Sequence, residues 1–144
     1  MHELTNRQIA ELWNGLVSLN GYTRVKGDAV VNVPYDFTGA VRRKVADNFA
    51  ALREAHRAFE ARKLDLIRSV TGGKESIDPE AERSQYDQFL SAIRPIEEDK
   101  VKVDGLSPLS DEDLKLDKNP IPPGTLATLD LLKVGADESC DDDE

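Results

Sequence analysis

The chain has 144 residues, 39% hydrophobic and 33% charged, with a formal net charge of -9. A chain of that length builds one domain with its own core and needs no metal or disulfide staples. One cysteine (Cys140) and two histidines (His2 and His56) exclude an intramolecular disulfide and supply too few ligands for a structural zinc site.

The charge is unevenly placed. Residues 1–70 carry 11 Lys and Arg against 8 Asp and Glu, whereas residues 71–144 carry 8 against 20. A net-negative half repels phosphate, which makes nucleic acid a disfavoured partner for the chain as a whole. No apolar run approaches the ~18 residues that a membrane span needs. The start, "MHELTNRQIAELWNGL", lacks the basic opening and apolar run of a signal peptide. The expectation is a soluble protein, cytosolic where it is made and not secreted by a signal peptide.

Thr5 reads as a helix N-cap, and Gln8 three residues later completes a capping box. Ile9, Leu12, Trp13, Leu16 and Val17 then fall on one face of a short amphipathic helix, which Asn20-Gly21 ends. "YTRVKGDAVVNVPY" has alternating and β-branched character around Lys26-Gly27-Asp28. It predicts a small hairpin with Gly27 in the turn, or an extended connector. Pro34 disfavours helix at Val33, so a new element starts after it.

A long helix is predicted from near Asp36 to about Val70. Val45, Leu52, Phe59 and Leu66 recur every seven residues, a spacing that keeps one seam facing a partner helix. The flanks are uneven: Asn48, Ala55 and Arg62 follow three residues after the seam positions, and Phe49, His56 and Lys63 follow four after. At ~1.5 Å per residue the helix is roughly 50 Å long, more than a small core covers on all sides. A second helix of this chain, or another chain, is therefore expected along it.

"TGGKESIDPE" predicts a flexible break over 71–78, with a third helix starting at Asp78 or Pro79. Tyr86, Phe89, Leu90 and Ile93 form its apolar stripe, and Pro95 limits or kinks it. Val101 and Val103 alternate with charges in a short strand, for which a partner around Val30 to Val33 is expected. Three prolines (Pro120, Pro122 and Pro123) give a stiff approach to a Leu-rich terminal helix begun near Gly124-Thr125. The final segment 135–144 is too acidic and too poor in apolar groups to pack, and is expected to be disordered. The fold expected is mainly α: a long central helix in a helical hairpin or small bundle, with a minor β-hairpin or short sheet, forming one domain over 1–134.

Catalytic constellations are missing. No phosphate loop, nucleophile elbow or paired-histidine zinc motif occurs, and Gly72-Gly73 alone is a linker signal. General acid–base or nucleophilic chemistry needs positioned partners that these residues do not supply, so no enzyme activity, cofactor or metal is expected. His56 reads as a packed or solvent-edge histidine. "SDEDLKLDKN" is rich in carboxylates but lacks the glycine of an EF-hand loop, which leaves a structural or solvating role. The cations of the long helix interleave with Asp47, Glu54 and Asp65 at pairing distances, unlike the continuous cationic face of a DNA-reading helix. They read as a solvated face, or as a docking patch for an acidic partner such as the chain's own acidic half. Arg42, Arg43 and Lys44 form its only compact cluster.

"LTNRQIAELWNGLVSL", "VRRKVADNFAALREAHRAFEARKLDLI", the "GGKES" break and "IPPGTLATLDLL" together resemble a group of small, uncharacterised tailed-phage and prophage proteins. The resemblance covers most of residues 4 to 133, and "YTRVKGDAVVNV" stands out as an elaboration of the usual connector. It implies a phage setting, in host cytoplasm or virion, and carries no functional residue with it.

Two function classes follow. One is a non-enzymatic structural or assembly protein of a head–tail or tail module. It would associate with itself or with a phage or host protein through the seam Val45, Leu52, Phe59 and Leu66, as a homo-oligomer in the first case. The other is an anti-defence inhibitor. It would either cover a basic channel with the carboxylates of 97–117 and 137–144, or sequester a signalling nucleotide. A nucleotide site needs arginine and aromatic residues in one pocket, with Arg24, Lys26, Arg42 and Arg43, beside Lys44, as its anion patch.

Overall fold

The computed structural model describes residues 2–133. The acidic segment 135–144, for which disorder is expected, lies outside the described residues.

Helix α2 (Gly39–Thr71) is the spine. It begins three residues later than Asp36, because Tyr35-Asp36-Phe37 is held in an extended strap. Asn119 accepts a hydrogen bond from the Asp36 N–H (2.8 Å) and donates to the Asp36 and Leu114 carbonyls (3.1 and 2.8 Å). The rings of Tyr35 and Phe37 are buried on either side of that clamp. Thr38 then caps the helix by accepting from the Val41 N–H at 3.2 Å.

Helix α1 (Asn6–Val17) packs along α2. Its capping box is complete: Gln8 N–H donates to Thr5 Oγ1 at 3.1 Å and Thr5 N–H to Gln8 Oε1 at 2.9 Å. Such a cap contributes about 1 kcal/mol. Ile9, Leu12 and Leu16 are fully buried, each contributing roughly 2 kcal/mol through loss of apolar surface from water. Helix α5 (Pro123–Leu129) closes the far side of α1. Gly15 permits that approach, since a Cβ there lies 3.0 Å from the Thr128 methyl.

Helix α3 (Arg83–Glu98) packs on α2 around a smaller cluster of Phe59, Phe89 and Ile93, with Leu66, Ile67 and Val70 partly buried beside it. The break between α2 and α3 is hydrogen-bonded at both ends. Gly72 takes the left-handed conformation (φ 76°), Gly73 N–H donates back to the Arg68 carbonyl at 2.8 Å, and Thr71 Oγ1 accepts from Lys74 N–H at 3.0 Å. The Asp78 carboxylate accepts from the Glu80 and Ala81 amides, which hold its pKa below the usual range. That turn delays α3 to Arg83, later than Asp78 or Pro79. Pro95 lies inside α3, in its final turn, and the helix continues to Glu98.

Two separate antiparallel ribbons complete the fold. Strand β1 (His2–Thr5) pairs with β4 (Lys100–Val103), His2 opposite Val103 and Thr5 opposite Lys100. The expected pairing of 101–103 with Val30–Val33 does not occur. His2 and Leu4 alternate inward in β1 and match the inward Val103, which gives β4 a buried partner. His2 donates from Nε2 to the Leu132 carbonyl at 2.6 Å, fastening β1 to the chain after α5. Strands β2 (Tyr22–Lys26) and β3 (Ala29–Val33) form the hairpin, with Gly27 at φ 66° in its two-residue turn. The short α4 (Asp111–Leu114) carries a second capping box, between Ser110 and Asp113. No helix among the described residues is long and apolar enough to cross a membrane.

Candidate functional site

The seam of α2 faces inward. Leu52 is fully buried in the main core, with Val45 partly buried against it; Phe59 and Leu66 belong to the cluster shared with α3. The other side of the seam is therefore occupied by elements of this same chain, α1 at one end and α3 at the other. Asn48, the polar break in the apolar flank, is also fully buried. Its side chain accepts from the Ser107 N–H (2.7 Å) and donates to the Ser107 carbonyl (3.0 Å), tying the segment after β4 to α2. Trp13 of α1 stacks on His56 (4.3 Å between centroids, 6° between planes) and meets Phe49 edge-on at 4.9 Å.

The five cations of the expected anion patch are dispersed. Lys44 pairs with Asp113 at 2.9 Å, and this bond, together with the Ser110 amide, holds the Asp113 carboxyl below its ordinary range. Here the acidic half docks on the basic helix; Arg62 reaches Asp99 at 3.6 Å in the same sense. Arg43 lies 3.8 Å from Asp47 on an exposed helix face, where such pairs contribute little. Arg42 lines a cleft instead. Arg24 and Lys26 sit on the hairpin, two residues apart and so on the same face of the ribbon.

The cleft, of about 440 Å³, lies between the end of α1, the strap and the first turns of α2, with Arg42 on its wall beside Tyr35, Phe37 and Phe49. Burial pushes the Tyr35 phenol up, and the neighbouring Tyr22 adds to the effect, so it remains a neutral hydroxyl. The Tyr22 ring rests on Tyr35 at 5.4 Å, and Tyr35 on Phe37 at 5.8 Å. This aromatic run anchors the base of the hairpin. Gly21 shapes the same base: at φ 144° it brings its Cα so close to the Val33 carbonyl that a Cβ would lie 2.5 Å from the oxygen.

Beyond that base the hairpin is out in solvent. Every residue from Thr23 to Asn32 is exposed, and Val25 and Val30, directly opposite each other, are 71% and 69% accessible. The β-branched run "AVVNV" signals a hairpin strand or an extended connector, and its pattern does not say whether a partner covers it. Asn119, which positions the strap, had no sequence signal. Comparison with protein-family models, with curated proteins and with solved structures finds no match.

Proposed function

We propose that the chain is a non-enzymatic accessory protein of a tailed phage, serving a head–tail or tail module by protein–protein association, and that hairpin β2–β3 is its contact element. The observation that carries this reading is the exposed Val25–Val30 pair on a ribbon that no other strand among the described residues covers. A lone two-stranded ribbon is marginal in water, and β-branched residues gain nothing from solvent-facing positions unless something packs on them. The phage setting rests on the resemblance described above. The seam of α2, already filled by α1 and α3, is left to the chain's own fold. The test is a phage carrying this gene with residues 23–32 replaced by a short Gly-Asn link. Electron microscopy is expected to show heads and tails that fail to join, or incomplete tails. Normal infectious particles would remove the assembly role.

The cleft favours a second reading, the anti-defence one, since Arg42 and three aromatic rings meet in a space of nucleotide size. Calorimetry with cyclic nucleotides against wild type and Arg42→Ala tests it. Heat of binding that vanishes in the variant supports sequestration, and no heat from wild type removes it.

A further inference from the structure

We propose that the hairpin's partner is a second copy of this chain, joined edge to edge through β3 across a two-fold axis. This inference rests on the hairpin being the contact element. The register decides which groups are available. A two-residue turn closed by Lys26 and Ala29 makes Lys26–Ala29, Arg24–Val31 and Tyr22–Val33 the pairs that exchange both hydrogen bonds. The pairs between them aim their N–H and C=O groups away from the hairpin. Thr23 and Val25 therefore present donors and acceptors along the β2 edge, and Val30 and Asn32 along the β3 edge.

The two edges differ in chemistry. Strand β2, "YTRVK", carries Arg24 and Lys26, and two such edges side by side would bring like charges together. Strand β3, "AVVNV", has no charged residue, no internal proline and no bulge, so it lacks the devices that usually guard an edge. Pro34 follows β3 without interrupting it. Full antiparallel overlap of Ala29–Val33 with itself is centred on Val31. It sets Val30 opposite Asn32 of the second copy, and Asn32 opposite Val30, so the four outward-facing residues meet as two fully bonded pairs. The Val25–Val30 pairs of the two copies then share one face of a four-stranded sheet. Two chains of net -9 repel, and β3, the edge that carries no charge, adds the least to that repulsion. Five residues a side make a small, weak interface, of the kind that gains strength when many copies are held together.

Sedimentation equilibrium over a wide concentration range tests the pairing. Wild type is expected to move from 16.0 kDa toward twice that mass as concentration rises. Val30→Pro removes the outward donor without taking a bond from the hairpin itself. It should weaken dimerisation by about tenfold or more, with helical circular dichroism and melting of the dilute protein unchanged. Val31→Lys, placing like charges across the axis, should do the same. Thr23→Pro on the β2 edge should leave the dimer intact. A wild type monomeric at every concentration overturns self-pairing. A dimer broken by Thr23→Pro, or kept by both β3 variants, overturns the assignment of the edge. None of these outcomes bears on the particle-assembly test, which asks only whether the hairpin is needed.

Discussion

The two ribbons of this protein have the same architecture and opposite fates. Both are antiparallel pairs of four or five residues, yet Leu4 and Val103 of the β1–β4 ribbon are 1% and 3% exposed while Val25 and Val30 of the β2–β3 hairpin are about 70% exposed. One ribbon is stapled into the fold by His2, Leu4 and the Asn6–Asp99 backbone bond of 3.0 Å that continues its ladder. The other touches the body at its base, through Tyr22, Val33 and the ring of Tyr35. The difference teaches that strand propensity alone does not tell a structural strand from a contact strand. What separates them is whether the inward residues find a core within the chain.

Substitutions sharpen this contrast. The largest effect is expected inside the buried ribbon: Leu4→Ala should lower unfolding free energy by about 2–5 kcal/mol in urea titration. Val25→Ala in the hairpin should stay within about 0.5 kcal/mol in dilute protein. Equal losses would erase the distinction. Next comes the strap beneath the hairpin. Asn119→Ala leaves the Asp36 amide and two carbonyls without their partner and should cost about 1–3 kcal/mol, by the same titration. Gly21→Ala pushes a Cβ against the Val33 carbonyl at a backbone angle unsuited to side chains. It should cost about 1–3 kcal/mol and shift the amide resonances of Tyr22 and Val33.

A modest, pH-dependent effect lies outside both ribbons, at the pair of Lys44 and Asp113. Asp113 has a folded pKa below its unfolded value. Its contribution is therefore fully present above the unfolded value, near ~3.9, and is lost as pH falls through the lower folded one. Asp113→Asn should flatten the acid limb of the stability curve below about pH 4, and cost about 1 kcal/mol or less at neutral pH, because Lys44 is 43% exposed. An unchanged acid limb would show that the pair is not formed in solution.

Local chemistry was legible in the sequence where the residues that decide it are near neighbours. Thr5 and Gln8 announced the start of α1, seven-residue spacing announced α2, and Gly27 announced the hairpin turn. Distant partners were not legible. Nothing in "HELT" points to a strand almost a hundred residues away, and the short valine strand at 101–103 fits Val30–Val33 equally well by pattern. The seam of Val45, Leu52, Phe59 and Leu66 revealed that α2 needs a partner, but periodicity is silent on whose helix fills it. Asn48 and Asn119 read as ordinary polar residues, since a buried amide clamping a distant backbone leaves no local signature. The anion patch failed as a cluster because adjacent residues on a helix point in different directions. Arg42 turns to the cleft, while Lys44 turns to Asp113.

Hydrogen exchange of the hairpin amides as a function of protein concentration tests the central claim most directly. The amides that bond across the β1–β4 ladder should be protected at every concentration. Those of Thr23, Val25, Val30 and Asn32 should exchange freely in dilute protein, and only Val30 and Asn32 should gain protection as the protein is concentrated. Strong protection of Val30 and Asn32 at high dilution, or no change with concentration, would contradict the account.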